Sequence, residues 1–496
     1  MKVMLINPFC IVPRSWMPYG PQEPLALEYL AAVASPDHDV RILDCRAEFQ
    51  GQYKALRGNM FHVGATVEQI QAAIAGWQPD LVRVTAPFAT QIRAAHTVLK
   101  TVKDVDQRII TVVGGCSVSC YPTRTLEENP SIDIAVTGEG ELTLKELLDR
   151  EGGGLDEIDG IVYRKGEKIV ANRPRKPVDN LDDIPFPRRD LVPFEDYSLG
   201  GAGIHRIKEL LTALRFREDK VRAVIGRIVK VLRRRDPRRG WRLPSYGRAA
   251  SVVTSRGCPF NCYFCAVRNV WGNTYRTRSP ENVLDELTLL YKEYGVRHFG
   301  IVDDNFNISK KRTIAICQGV IDRGLDVTFR ADSGVYVANL DEETLSLMKR
   351  AGFHELYFGI ESGNKWVLHN VINKKIDLEK VREVARLCKK VGIVSGGYFM
   401  VGVPGETIDS MEETVRFAID SGLDRIRLYT CQPFPGSRLY EDCQREGWIT
   451  GDFDASKALI FDTKAHIKTS EFSPEDVTLV AEKGRAALRQ QKRLDM

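Results

Sequence analysis

The chain has no run approaching the roughly 18 consecutive apolar residues that a transmembrane helix needs. Its opening, MKVMLINPF, reads as a strand and lacks the pattern of a signal peptide. Its 11 cysteines, an odd count, show no disulfide-framework spacing, which favours a reducing compartment. These absences argue against membrane-spanning and disulfide-rich secreted classes and lead us to expect a cytoplasmic protein. A strong net charge is also missing, since the balance is only +5 over 496 residues. What basicity there is lies between Arg206 and Arg242, where 14 Lys and Arg face four acids, and the rest of the chain is acidic. Basicity is therefore a local device, and a nucleic-acid partner is not implied. With 43% hydrophobic and 28% charged residues the composition is globular, and the length calls for two to four domains.

Cysteine is concentrated at one place. The stretch SRGCPFNCYFC, Ser255 to Cys265, carries Cys258, Cys262 and Cys265 in a C-x3-C-x2-C spacing. Three soft thiolates so close together can each take one iron of a cubane and leave the fourth iron open to a substrate. A structural zinc knuckle wants four ligands, and the nearest His, His298, lies far downstream. Buried core cysteines need no such spacing. The triad, with Phe264 just before its last member, resembles the radical S-adenosylmethionine (SAM) superfamily.

Residues 1–150 alternate short apolar strands with helical periodicities. Strands are expected at Lys2 to Ile6, Val40 to Leu43, Leu81 to Val84, Ile109 to Val113 and Ile132 to Val136. Helices are expected at Leu25 to Ala34, Val67 to Gly76, Ile92 to Val102 and Leu142 to Arg150. This is the pattern of an α/β, doubly wound sheet of Rossmann or flavodoxin type, whose ligands sit at the strands' carboxyl ends. Those ends carry Asn7, Gly114-Gly115-Cys116, and Gly138-Glu139-Gly140-Glu141 opening a helix. Glycine lets a flat ligand approach the backbone, and a helix amino end offers free N–H groups.

PLALEYLAAV, the GG strand end and GEGELTLKELL together resemble the cobalamin-binding domain that precedes the barrel in B12-binding radical SAM enzymes. The resemblance implies cobalamin contacts from Asn7, Gly114, Gly115, Cys116, Gly138, Glu139, Gly140 and Glu141. The D-x-H-x-x-G signature is absent, so no His is expected below the cobalt. Many relatives read Gly-Gly-Pro-His where this chain reads Gly114-Gly115-Cys116-Ser117.

A hairpin and a Pro-rich extended linker are expected over 151–202, then a basic amphipathic helical insert over 203–245. The insert's polar face, 204–242, suits either solvent or an anionic membrane surface. Over 246–450 six strand–loop–helix units predict a partial (β/α)6 barrel with its site at the strand ends. FRADSG, AGFHELYFGIESGN, GYFMVGVPGET and QPFPGSRLYE resemble the barrel of the same subclass. By that resemblance Asp304 and Asn305 meet the methionyl end of SAM and Glu361 the ribose, with Phe264, Arg330, Ser362 and Gly402 as further contacts. Residues 451–496 read as a helical tail, expected to close the barrel's underside.

The resemblance implies a [4Fe-4S] cluster, SAM and cobalamin. Its chemistry is a 5′-deoxyadenosyl radical that takes hydrogen from an unactivated carbon, followed by methyl delivery from methylcobalamin. It implies a small-molecule or lipid substrate and a reductant such as flavodoxin or ferredoxin. A cyclase, oxidase or rearrangement enzyme with the same cofactors is the alternative; a methylthiotransferase and a non-catalytic cobalamin sensor fit the residues less well.

Overall fold

The computed structural model describes residues 1–13, 21–57, 60–197, 248–451, 453–457, 464–491 and 493–495. The basic insert expected over 203–245 lies outside the described residues.

The amino-terminal half contains β1 (Lys2–Asn7), β2 (Cys10–Pro13), β3 (Asp39–Asp44), β4 (Tyr53–Ala55), β5 (Met60–Val63), β6 (Leu81–Thr85), β7 (Ile110–Gly114), β8 (Ile134–Val136), β9 (Ile161–Lys165) and β10 (Lys168–Ala171). Seven of these form one sheet in the order β10-β9-β8-β7-β6-β1-β3. The pairs from β3 to β8 are parallel and the β9–β10 hairpin is antiparallel. Numbered by their place in the parallel run, those strands follow the 2-1-3-4-5 order of flavodoxin-like sheets, and the chain reverses direction between β1 and β6.

The helices form where the apolar spacing places them. One of them, Val67–Trp77, starts from a capping box in which the Thr66 hydroxyl accepts from Gln69 N–H and Thr66 N–H donates to the Gln69 side chain. Apolar side chains fill both faces of the sheet: Val82, Val84 and Val113 point to one layer of helices, Leu5, Leu81 and Val112 to the other. Two expectations change here. The hairpin expected beyond residue 150 is the edge of this same sheet, so the first unit runs to Ala171. A second, three-stranded antiparallel sheet, β2-β5-β4, was not legible, because its strands are short and largely exposed.

The expected extended linker is a locked keystone. Arg189 is 2% exposed and reaches Glu23 at 2.6 Å and Glu286 at 2.8 Å, while its remaining nitrogen donates to Ser251 O at 2.7 Å. Glu23 belongs to the first unit and Glu286 to the second, so one guanidinium ties both to the connecting segment. A buried charge left without such partners would cost several kcal/mol.

The second half contains β11 (Arg248–Val252), β12 (Ser255–Arg256), β13 (Arg276–Thr277), β14 (Val296–Ile301), β15 (Thr328–Val335), β16 (Phe353–Glu361), β17 (Val394–Val401) and β18 (Arg425–Thr430). Six of them run parallel in the order β11-β14-β15-β16-β17-β18, the expected partial barrel. Alternation sets its two faces. On β16, Leu356, Phe358 and Ile360 pack into the apolar layer under the helices, while Glu355 and Tyr357 face inward among Arg425 and Arg427.

The tail divides in two. Its helix Pro474–Gln490 packs along the flank of β18 and the helix Ile408–Asp420. Beyond it Leu494 bridges Ile426 in parallel, and Asp495 ion-pairs with Arg427 at 3.0 Å.

Candidate active site

The cluster loop leaves β12 and returns through the single-turn helix Arg268–Trp271. Between them a small open cleft is lined by Cys258, Cys262 and Cys265 with Phe260, Asn261, Val267 and Arg268. Burial pushes all three thiols up, Cys262 to about 12 and Cys265 to about 11. Iron coordination reverses that by deprotonating a thiol outright, so this donor set suits a metal cluster better than a free cysteine pocket. Among the described residues no group of three His, Cys, Asp or Glu side chains is placed to hold a lone metal ion.

Three neighbours orient the loop. Asn305 Nδ2 donates to Cys258 Sγ at 2.9 Å, and Asp304 accepts from Gly257 N–H at 3.2 Å. Asp304 sits with its carboxyl raised to about 6, because burial outweighs the Gly257 N–H. Asp303, fully buried, accepts from Thr254 N–H and from the Thr254 and Ser255 hydroxyls at 2.5–2.6 Å. The β14 end therefore clamps the cluster loop by its backbone. Opposite, Glu361 ends β16 at φ 74°, a strained left-handed position for a non-glycine residue, and pairs with Lys374 at 2.9 Å. Lys374 is half-buried; burial opposes its charge, but Glu361 and the cysteines outweigh this and raise its pKa. It is a cation beside the cluster loop that sequence reasoning missed. Nothing in its local context, INKK, marks it.

The first sheet's carboxyl edge faces this loop. Gly115 sits at φ 128°, and a Cβ there would meet Ala86 O at 2.6 Å. Gly138 sits at φ 69°, and the nearest atom to a Cβ would be Val270 O, from the barrel, at 3.4 Å. With Thr85 and Ala86 the edge is backbone and small side chains, a shape that admits a flat macrocycle, and Asn7 is buried at its end.

Glu139 and Glu141 turn out to hold the seam. Arg256, two residues before Cys258, reaches Glu139 at 3.1 Å and Glu141 at 2.6 Å, and its guanidinium stacks over Tyr29 and Trp271 at 5.5 and 5.1 Å. Arg276 adds a 2.9 Å pair to Glu139. Burial pushes Glu141 up, but Arg256 outweighs it and holds the carboxyl below its ordinary range. Both carboxylates are thus spent on the barrel's arginines, which leaves the backbone of this turn as what it can offer a cofactor.

Other expected contacts have packing or pairing partners of their own. Cβ atoms at Gly114 and Gly140 would meet Arg83 Nη2 at 2.5 and 3.0 Å, so these glycines make room for a buried guanidinium. Arg83 Nε and Nη1 have no hydrogen-bond partner, and burial lowers its pKa to about 10. Ser362 is buried against Thr414 at 2.9 Å and accepts from Asn364 N–H, a turn-capping role. Gly402 faces Val477 of the tail helix. Arg330 points into the barrel, pairing with Asp332 and with Glu355 at 3.5 Å. Phe264 packs on the barrel's apolar layer.

A flavodoxin-like sheet set over a partial barrel, with three thiols on the loop between them, defines a cofactor-loaded radical enzyme. The comparisons say which. The Radical SAM superfamily profile matches residues 252–418 and the B12 binding domain profile residues 18–148. An uncharacterized methyltransferase of Pyrococcus horikoshii is 33% identical over 89% of this chain and 83% of its own length. The cytidylyl-2-hydroxyethylphosphonate methyltransferase of Streptomyces wedmorensis is 27% identical over 90% of this chain and 82% of its own. In fold the chain is similar to the radical SAM methyltransferase TsrM of Kitasatospora setae, solved with cobalamin and a [4Fe-4S] cluster. That likeness has a TM-score of 0.67 at 16% identity, over 100% of this chain and 90% of that one. The chain belongs to the B12-binding (cobalamin-dependent) radical SAM family. It is an enzyme of the radical SAM transferase class whose cofactors are a [4Fe-4S] cluster, SAM and cobalamin. No described helix is long and apolar enough to cross a membrane.

Proposed function

We propose that the chain methylates an unactivated carbon of a small-molecule or lipid substrate, drawing electrons from a flavodoxin- or ferredoxin-type reductant. Residues 1–171 form the cobalamin unit and 248–450 the barrel. Cys258, Cys262 and Cys265 hold the cluster; Asp304, Asn305 and Glu361 line the SAM side; Asn7, Gly115 and Gly138 line the cobalamin side. When bound, the cluster and SAM supply a hydrogen-abstracting radical and cobalamin supplies the methyl group.

The observation that carries the reading is the Arg256 clamp. It ties Glu139 and Glu141, beside the glycine edge, to the strand leading into Cys258, so the two cofactor faces share one rigid seam. What the chain's own residues do is orient and dry this space: buried Arg256, Arg276, Glu139 and Glu141 close one side, and Asp303 and Asn305 fix the loop. Methyl transfer is favoured over cyclisation because the two relatives aligned over 83% and 82% of their own length are named methyltransferases, whereas the cyclases align over 57–68% of theirs.

The test is anaerobic reconstitution with iron, sulfide and cobalamin, then reaction with methyl-labelled SAM, a reductant, and aqueous and lipid extracts. We expect 5′-deoxyadenosine and label in an extract component. No 5′-deoxyadenosine would overturn the enzyme reading, and 5′-deoxyadenosine with an unlabelled product would overturn methylation.

A further inference from the structure

Of the 11 cysteines, three belong to the cluster loop and six are buried at positions 10, 45, 317, 388, 431 and 443. The two that remain, Cys116 and Cys120, are partly exposed and stand four residues apart on the helix Cys116–Cys120 that follows the GG turn. Residues four apart share a helix face, with Cα atoms about 6 Å and Cβ atoms about 5–6 Å apart; a disulfide needs Cβ atoms about 4 Å apart, so its closure draws the two ends of this five-residue helix together.

The two thiols lie close enough to influence each other's protonation, the pKa of Cys120 being lowered and that of Cys116 raised. Cys120 Sγ also accepts from Asn269 Nδ2 at 3.4 Å, and that amide donates in turn to Gly436 O at 2.7 Å. Gly436 is a notch for this sulfur, since a Cβ there would stand 2.2 Å from Cys120 Sγ. Cys116 lies within electrostatic reach of Cys265 and Asp304. The pair therefore sits where the first sheet, the single-turn helix after the cluster cysteines and the loop after β18 meet.

We propose that Cys116 and Cys120 are a redox-active dithiol that closes reversibly to a disulfide by exchange with a low-molecular-weight disulfide. Cys120 is the attacking sulfur. The neighbouring Cys116 thiol favours its thiolate, and the Asn269 amide, which donates to Cys120, adds to this, whereas Cys116, beside Cys120 and half-buried, is pushed up. The Cys120 thiolate attacks one sulfur of the small disulfide, forms a mixed disulfide and releases one thiolate. Cys116 then gives up its proton and attacks Cys120 Sγ, forming the internal bond and releasing the second thiol. The protein loses two electrons and two protons, and the small disulfide gains them. Bond formation takes the Cys120 sulfur away from the Asn269 amide, so the oxidation state is felt four residues beyond Cys265.

The test uses the full chain with its cluster reconstituted anaerobically. It is treated with glutathione disulfide, quenched with iodoacetamide and digested with trypsin. One tryptic peptide, residues 109–124, carries both thiols and no other cysteine. We expect it to lose two hydrogens and escape alkylation, to regain two alkylations after dithiothreitol, and to react faster as pH rises. In Cys116→Ser the peptide should trap one glutathione on Cys120. In Cys120→Ser, Cys116 should react at least tenfold more slowly. The proposal is overturned if the wild-type peptide stays doubly alkylated while dithiothreitol in the same solution is oxidised, or if the two single variants trap glutathione equally fast.

Discussion

The two carboxyl edges that face each other across the seam are built on opposite plans. The first sheet's edge has been cleared: Gly115 and Gly138 hold positive φ, Ala86 is small, and even the nearby arginine, Arg83, is tucked behind Gly114 and Gly140. The barrel's edge is crowded with polar and ionisable groups, with Asp303, Asp304, Asn305, Glu361 and Lys374 around three thiols and Glu406 beyond the end of β17. One edge recognises by shape and backbone and the other by charge and sulfur. A large macrocycle needs clearance, whereas a metal cluster and a zwitterionic cofactor need ligands and counter-charges.

The sharpest break falls on the ligand side. Cys262→Ala should remove cluster iron and sulfide and lower 5′-deoxyadenosine formation at least about a thousandfold, some 4 kcal/mol. Bound cobalamin, read from its visible spectrum, should stay. Loss of both cofactors together would show that the two edges are not separate recognisers.

Next in size is the seam. Arg256→Gln strands Glu141 and half of Glu139 in a buried site, and unfolding in denaturant should show a loss of about 3–5 kcal/mol. A change under 1 kcal/mol would mean that the clamp is not what joins the edges.

On the cleared edge, Gly115→Ala places a Cβ against Ala86 O in a left-handed conformation. We expect a cost of about 2 kcal/mol and weaker cobalamin retention on gel filtration, with cluster content unchanged.

The smallest effect concerns Glu406. Its carboxylate accepts from Gly402 and Val403 N–H, both at 2.8 Å, yet burial outweighs these bonds and raises its pKa to about 8. The folded chain therefore holds a proton that the unfolded chain has lost above its ordinary pKa of 4.5. Glu406 favours folding fully only below that value, and its contribution falls as pH rises to about 8. In Glu406→Gln the thermal midpoint should lose this part of its decline between pH 5 and pH 8; an unchanged slope would place the proton elsewhere.

What could be read in advance follows from range. The strands of both sheets were legible because burial imposes a local period, as in VMLIN or the alternating inward and outward residues of HELYFGIE. The cluster cysteines were legible because the three ligands lie within one loop. The Arg256 pairs were not: their partners lie 117 and 115 residues away, and no local pattern announces a carboxylate that far back. Arg83 was invisible for a related reason, since it interrupts an apolar strand that reads as buried whatever its third residue. The hairpin was visible as a hairpin, but its docking on β8 depends on an edge the sequence does not display.

The Asp495 contact with the barrel's inward-facing Arg427 sets a timetable for synthesis. Arg427 is stacked over Tyr357 and Tyr398 at 4.4 and 5.4 Å, and Asp495 is the only carboxylate it ion-pairs with among the described residues. Tyr357 donates its hydroxyl to the same Asp495, 138 residues later in the chain. At ribosomal speeds that separation is on the order of 10 s. Arg425 and Arg330 have carboxylate partners within the barrel strands. During synthesis Arg427 alone of the three therefore waits for its carboxylate until residue 495 has emerged, and chaperone contact or early cluster loading would fall within that interval.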